Sequence, residues 1–337
     1  MTAAGALESE RPAALVFVPD TPADAPAPAS FALPSFAKIN LSLCVLGRRP
    51  DGYHELRTVF QSVSLRDRLT FHSSADERLE LACDAADVPA DETNLVHRAA
   101  VLLRDRFGVR RGARIEIEKV IPAGGGLGGG SSNAAAALVG LSRLWGIETG
   151  GVELAELGAR LGSDVPFFFA GGTAAGVGRG DRVRPLPDAA PRHLLIITPP
   201  VKVSTADAYK SLNAPALTKE GAAVKFYVSR EASDFSGSPR GALVNDFEPA
   251  VFGRYPEIEA ARDALLRAGA GAALLSGSGA SVFGIFDTGR QAGSAADKLR
   301  RETGGQVFPC RTLGRTDYRA AFGDCAPLLL AGAPGAG

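Results

Sequence analysis

The amino-acid sequence predicts an α+β protein of two domains. Three observations carry that reading. Period-two and period-3.6 apolar patterns follow one another in mixed order, with several strands in succession before the first helix. The chain has 337 residues, more than a single core usually organises. Pro185, Pro187 and Pro191 cluster between two patterned stretches and mark a boundary within Leu186 to Arg192. The expected division is an extension over 1–32, a first domain over 33–188 and a second over 189–330.

The elements follow in order. Residues 1–32 are rich in Ala, Pro, Asp and Glu, as in Pro22 to Pro28, and bury too little apolar surface to order themselves. This segment has neither the basic start nor the continuous apolar core of a secretory signal. It is expected to be mobile and dispensable. From Phe36 to Leu46 the chain alternates: Ala37, Ile39, Leu41, Leu43 and Val45 share one face of a strand, and Lys38, Asn40 and Ser42 the other. A solvated strand edge would carry the same polar residues, so the pattern alone leaves both meanings open. Pro50-Asp51-Gly52 is a turn, because Pro presets φ and Gly accepts positive φ. Tyr53 and His54 follow it directly. Thr58 to Leu65, Arg68 to His72 and Arg78 to Cys83 read as strands. Asn94 to Phe107 reads as an amphipathic helix with Leu95, Ala99, Leu102 and Leu103 on its apolar side.

Arg114 to Lys119 alternates as a strand and runs into Pro122-Ala123 and the densest glycine run of the chain. Six glycines occupy seven positions from Gly124 to Gly130. A helix is expected from Ser131, with Ala134, Leu138, Leu141 and Trp145 as its core stripe. Val152 to Leu161 is a further helix, stopped at Gly162. Asp164 stands alone among apolar and small residues, where a cap or turn aspartate would also fit. Ala174 to Leu186 reads as strand and turn, and His193 to Thr198 as a buried strand. Lys219 to Gly241 is a polar excursion, Pro256 to Ala268 and Gln291 to Glu302 are helices, and the tail beyond Leu330 frays. Leu274 to Phe286 reads as strand, Gly/Ser turn, strand.

Composition excludes several classes. Lys plus Arg and Asp plus Glu are both 37, so no basic excess draws in nucleic acid or an anionic membrane surface. No apolar run reaches the length of a membrane span. Cys44, Cys83, Cys310 and Cys325 are widely spaced, without a C-x-x-C pair. This fits buried free thiols in a reducing cytoplasm rather than a zinc site or a disulfide framework.

The glycine run between a patterned strand and a patterned helix is a setting for phosphate. Successive free N–H groups form an anion nest, and the following helix adds its positive end. A P-loop requires a Lys after the glycines, and none is present. A dinucleotide fingerprint fails where Ser131 stands in place of its last glycine, which disfavours an NAD oxidoreductase. A flexible linker would not join patterned elements without a polar spacer.

Pro122 to Ala134 resembles the Pro-x-x-x-Gly-Leu-Gly-Ser-Ser-x-Ala loop of the GHMP kinases, a family of small-molecule kinases that includes galactokinase, homoserine kinase and mevalonate kinase. Leu274 to Gly284 looks like the family's C-terminal Gly/Ser motif. Ala37-Lys-Ile-Asn-Leu41, Arg49-Pro-Asp-Gly-Tyr-His-Glu55, Gly124 to Ala134 and Gly162-Ser-Asp-Val-Pro166 stand in the order found in one branch. That branch phosphorylates the 2-hydroxyl of 4-diphosphocytidyl-2-C-methyl-D-erythritol in non-mevalonate isoprenoid synthesis. The likeness runs from Leu33 to Leu313; the first 32 residues and Lys219 to Gly241 depart from it.

The resemblance implies an N-terminal ATP-binding domain, a C-terminal ferredoxin-like domain and a site in the cleft between them. It places ATP phosphates against Pro122, Ala123, Gly124, Gly125, Gly126, Leu127, Gly128, Gly129 and Gly130, with Ser131 or Ser132 offering a hydroxyl to phosphate or Mg²⁺. Asn94 and Lys119 join the ATP pocket. Asp164 is the general base and Lys38 its neighbour. The cytidine ring rests against Tyr53 and Tyr209, His54 hydrogen-bonds the base, and Asn40, Phe60 and Thr205 line the same pocket. ATP and Mg²⁺ are the implied cofactors, with no metal ligand among the side chains and a small molecule as partner. The implied assembly is a monomer or weak homodimer. The rivals are a family member acting on homoserine or a mevalonate derivative, and a non-catalytic nucleotide-binding protein.

Overall fold

The computed structural model describes residues 30–212, 214 and 243–331. The expected excursion over 219–241, the end of the tail and all but the last three residues of the expected N-terminal extension lie outside the described residues.

The first domain opens with two long antiparallel strands, β1 (Ser30–Arg48) and β2 (His54–Ser73), followed by β3 (Leu79–Cys83). α1 (Leu95–Phe107), β4 (Ala113–Glu118), α2 (Gly129–Trp145), α3 (Gly151–Leu161) and the short α4 (Phe167–Ala170) come next, then β5 (Thr173–Gly178) and β6 (Arg182–Pro185). β2 hosts β5 along its first half and β4 along its second, so its length organises the seven-stranded sheet. Two boundaries differ from the sequence reading. β1 starts at Ser30 rather than at the expected Phe36, because the far end of β2 offers Phe71 and His72 as pairing partners to Phe31 and Ser30. The two strands expected over 58–65 and 68–72 are one. A register shift between Phe36 and Lys38 bends the pair and turns Asp67 inward instead of ending the strand.

The second domain contains β7 (His193–Thr198), α5 (Thr205–Ser211), β8 (Val244–Asn245), α6 (Glu248–Arg254), α7 (Pro256–Arg267), β9 (Ala272–Leu275), β10 (Val282–Phe286), α8 (Gly289–Glu302) and β11 (Gln306–Arg311). Its sheet order β11-β7-β10-β9 is antiparallel throughout. Taking β7, β9, β10 and β11 as first to fourth, this is the 4-1-3-2 order of a ferredoxin-like βαββαβ unit. Thr288 and Gln291 close a capping box at the start of α8.

Three cores hold the molecule. In the first, α1 and α2 lie on the seven-stranded sheet. Gly140 is required there, since a β carbon would come within 2.4 Å of the Phe71 ring. Burying a phenyl ring of this kind contributes about 1.5–3 kcal/mol. The second core lies within the C-terminal domain. The third joins the domains: Ala37, Ile39 and Leu41 of β1 pack with Leu194, Ile196, Leu274 and Phe283. The alternation of β1 was therefore a domain interface, with Lys38 and Asn40 on its other face.

The expected division at 188/189 is crossed twice. β8 pairs with β1 in parallel and so extends the first sheet. After β11 the chain returns as α9 (Arg315–Ala320) and a 3-10 turn (Gly323–Leu328), placing Tyr318, Phe322 and Leu329 in the first core. Arg315 pins this return, its buried guanidinium donating to the carbonyls of Ala170, Thr173 and Leu186.

Candidate active site

Lys38 and Asp164 meet at the centre of the cleft. Lys38 is on β1, and Asp164 is in the turn between α3 and α4. Lys38 Nζ lies 3.3 Å from Asp164 Oδ2. The lysine side chain is 4% exposed and the carboxylate 32%, so the acid faces the cleft and the amine stands behind it. A relay of hydrogen bonds aims the amine. Thr58 Oγ1 donates to the Ser42 carbonyl at 2.7 Å, so it is left to accept from Asn40 Nδ2, also at 2.7 Å. That fixes the amide of Asn40 with Oδ1 toward Lys38 Nζ, 2.7 Å away. Beneath lies the ring of Phe60, 5.6 Å from the ammonium and itself packed on Phe167.

The glycine loop passes over this pair. The Lys38 amide donates to the Leu127 carbonyl at 2.9 Å. φ is positive at Gly124, Gly126 and Gly128. α2 starts at Gly129, two residues before the expected Ser131, because the left-handed Gly128 serves as its N-cap and accepts from the Ser132 amide. The first-turn N–H groups, Gly129 to Ser131, therefore lack intrahelical acceptors and open toward the cleft end. Ser131 lines the cleft, whereas Ser132 is buried.

A second reason for the glycines is the C-terminal domain. The Ser276–Ser281 turn between β9 and β10 closes on the loop. Ser276 Oγ donates to the Gly126 carbonyl at 3.1 Å and the Ser281 amide to the Gly125 carbonyl at 3.0 Å. A β carbon at Gly126 would lie 2.1 Å from the Ser276 carbonyl oxygen. Asn245 braces that turn by donating to the carbonyls of Leu275 and Gly277.

Outward from Asp164 the cleft widens. An inner chamber of about 310 Å³ contains Lys38, Asn40, Phe60, Ser131 and Asp164. An outer chamber of about 960 Å³ is lined by Tyr53, His54 and Tyr209, with Thr205 at the junction. His54 stacks on Tyr209 at 4.8 Å between centroids and 29° between planes, and Tyr209 meets Phe247 edge-on. Tyr53 is 55% exposed, with the Arg179 guanidinium 4.8 Å above its ring. Both tyrosines line the chamber as expected, but His54 itself lies against Tyr209. Burial, and then the Arg48 guanidinium, hold His54 below its usual 6.5. Burial, and then the Asp164 carboxylate, push the Tyr209 phenol up, so it stays a neutral donor.

Asn94 and Lys119 stand apart from these chambers. Asn94 caps α1 by accepting from the Val96 amide and donates to the Pro89 carbonyl. Lys119 is ion-paired with the buried Asp67, whose carboxylate also accepts from the Val120 and Ile121 amides and from Asn133. Both flank the first turn of α2: Lys119 Nζ would be 3.3 Å from a Gly129 β carbon, and Leu95, next to Asn94, 3.8 Å from one at Gly130. Pro122 and Ala123 lead into the loop from β4. Sequence reasoning missed Thr58, Asp67, Arg179 and Asn245. Arg179 had one available signal, its Gly-Arg-Gly-Asp turn; Asp67, between two arginines on a strand, had none.

A carboxylate backed by a buried lysine, set where a helix N-terminus can hold polyphosphate, is the working end of a phosphotransferase acting on small molecules. Comparison with known proteins narrows the class. Residues 94–172 match the GHMP kinases N terminal domain, and residues 230–305 match GHMP kinases C terminal. A 4-diphosphocytidyl-2-C-methyl-D-erythritol kinase of Pelotomaculum thermopropionicum is 44% identical over 276 residues, covering 82% of this chain and 96% of the relative. The enzyme of that name from Chlorobium phaeobacteroides is 40% identical over 269 residues, covering 80% and 90%. A crystal structure of 4-(cytidine 5'-diphospho)-2C-methyl-D-erythritol kinase superimposes with a TM-score of 0.69 at 34% identity, covering 84% of this chain and 100% of that one. Homoserine kinase from Cytophaga hutchinsonii, at 21% identity and a TM-score of 0.60 over 84% of this chain and 95% of that one, shares the fold. The chain belongs to the GHMP kinase family and is an ATP-using small-molecule kinase.

Proposed function

We propose that this kinase transfers the γ-phosphoryl group of ATP to the 2-hydroxyl of 4-diphosphocytidyl-2-C-methyl-D-erythritol, giving the 2-phosphate and ADP in the non-mevalonate route to isoprenoid precursors. The observation that carries this is the position of the Lys38–Asp164 pair between the glycine loop and a chamber lined by Tyr53, His54 and Tyr209. The relatives that bear this enzyme's name support it over most of the chain.

In this reading Asp164 takes the proton of the acceptor hydroxyl as the O–P bond forms, and the Lys38 ammonium stabilises the developing alkoxide. The transferring group has a loose transition state with charge on its oxygens, so fixed donors matter most. The loop amides and the first turn of α2 supply them. Tyr209 and Tyr53 offer ring faces to the cytosine and His54 a neutral imidazole, while Asn40, Phe60 and Thr205 shape the path between. Lys119 and Asn94 border the ATP side. Among the described residues no group of three or more His, Cys, Asp or Glu could hold a metal. This donor set suits Mg²⁺, which keeps its waters and takes few protein ligands beside substrate phosphates. Ser131 is the hydroxyl offered to it, and the ion would neutralise phosphate charge. Among the described residues no helix is long and apolar enough to cross a membrane. Four free cysteines suit a reducing cytoplasm, the location proposed here, and a monomer or weak homodimer is the proposed assembly.

The test is ADP release with 4-diphosphocytidyl-2-C-methyl-D-erythritol, homoserine and mevalonate offered side by side. Only the first should turn over well. Asp164→Asn should lower kcat by about 10²–10⁴-fold with the KM for ATP held. Near-normal turnover of that variant would sink the assignment of the base.

A further inference from the structure

We infer that Arg179 binds the diphosphate bridge of the acceptor, reading the link between nucleoside and polyol rather than either end. The inference rests on the cytidylated acceptor proposed above. An acceptor of that kind is extended: its base belongs in the outer chamber with His54 and Tyr209, and its hydroxyl must reach Asp164 in the inner one. The dianionic bridge then crosses the junction. Among the described residues six line both chambers, and Arg179 is the one charged side chain of the six. The other cations of the outer chamber, Arg48, Arg160 and Lys210, do not line the inner one.

The local fold prepares Arg179 for this task. It occupies the turn between β5 and β6, flanked by Gly178 and Gly180, both with positive φ. Asp181 holds it twice over: Oδ1 accepts from the Arg179 amide at 3.2 Å, and Oδ2 from Nε and Nη2 at 3.0 and 2.8 Å. The Tyr53 ring supports the guanidinium from one side, 4.8 Å from its carbon. A guanidinium carries five N–H donors, so fixing two leaves the rest for an incoming anion. A planar fork held in advance loses little conformational freedom on binding, and it suits paired phosphate oxygens better than an ammonium does. Asp181 and Tyr53 act through Arg179 and are positioning residues.

The experiment compares cytidine, CMP and CDP as ligands of the full-length wild type, Arg179→Gln and Arg179→Lys by calorimetry, with acceptor and ATP kinetics alongside. Wild type should bind CDP about tenfold or more tightly than cytidine, the discrimination expected of a charge-assisted contact. Arg179→Gln should nearly abolish that ratio while leaving cytidine affinity and the KM for ATP at wild-type values. The acceptor KM should rise with little change in kcat, and Arg179→Lys should recover part of the loss. An unchanged KM for ATP shows that the variant is folded. The inference is overturned if Arg179→Gln keeps the wild-type preference for CDP, or if wild type binds cytidine and CDP equally. Failure of wild type to bind either ligand overturns the cytidylated-acceptor reading, and this inference with it.

Discussion

The glycine loop permits a controlled test of domain docking, using Gly126→Ala against Gly124→Ala. Both residues are in the left-handed region, at φ +75 and +69. Alanine there costs about 1–2 kcal/mol by backbone crowding alone. The two sites differ in their surroundings. A β carbon at Gly124 meets nothing within 4 Å, whereas one at Gly126 lies 2.1 Å from the Ser276 carbonyl oxygen and 2.9 Å from that of Gly279. The Ser276–Ser281 turn must then withdraw, breaking the hydrogen bonds from Ser276 Oγ to Gly126 and from the Ser281 amide to Gly125. At about 1 kcal/mol each these bonds add about 2 kcal/mol. Gly124→Ala should therefore cost about 1–2 kcal/mol and Gly126→Ala about 3–4. Urea unfolding without nucleotide measures the difference. On heating, the extra loss should lower Tm by several degrees, since 1 kcal/mol moves chains of 150–250 residues by about 2–4 °C. Equal destabilisation by the two substitutions would refute the docking role of Gly126.

Two further outcomes are expected. His54 is held below 6.5, so as pH falls the unfolded chain takes this proton before the folded one. Its contribution costs stability only below that value and is absent above it. His54→Gln should flatten the acid limb of the stability curve below pH 6.5. The same variant should raise the acceptor KM at neutral pH without moving that for ATP; parallel wild-type and variant stability curves would contradict the burial argument. Arg315→Met should cost about 3–5 kcal/mol, the range for removing one partner from a buried charged network. It strands the carbonyls of Ala170, Thr173 and Leu186, and a loss below about 1 kcal/mol in urea unfolding would show that these groups find other donors.

What was legible in the sequence was what local periodicity or motif spacing encodes. The alternation of β1 separated Lys38 and Asn40 from Ala37, Ile39 and Leu41, because successive side chains of a strand point to opposite faces. Asp164 was singled out as a lone carboxylate in an apolar run, and the ion pair with Lys38 gives that isolation a purpose. What could not be read was long-range pairing. Asp67 looks like any exposed strand aspartate, yet it anchors the entry to the glycine loop from 53 and 54 positions away. The return of Tyr318 and Phe322 to the first core depends on a cavity that the preceding chain creates only after folding. The start of α2 was placed two residues late because glycines weaken a helix by propensity. Here the left-handed Gly128 caps the helix, and Gly129 packs closely on Ile121, so context overrides propensity.

The density of glycine in the loop was first explained by phosphate alone, and the structure divides it between two tasks. Gly125 and Gly126 turn their carbonyls to the second domain, Leu127 gives its carbonyl to the Lys38 amide, and the amides that follow are left toward the cleft. One short segment thus touches the strand that carries Lys38, the first turn of α2 and the domain that supplies Tyr209 and Thr205. These contacts are made by backbone groups, which cannot shift independently of one another. Separating the domains would disturb the phosphate cradle, the Lys38 strand and the acceptor chamber together.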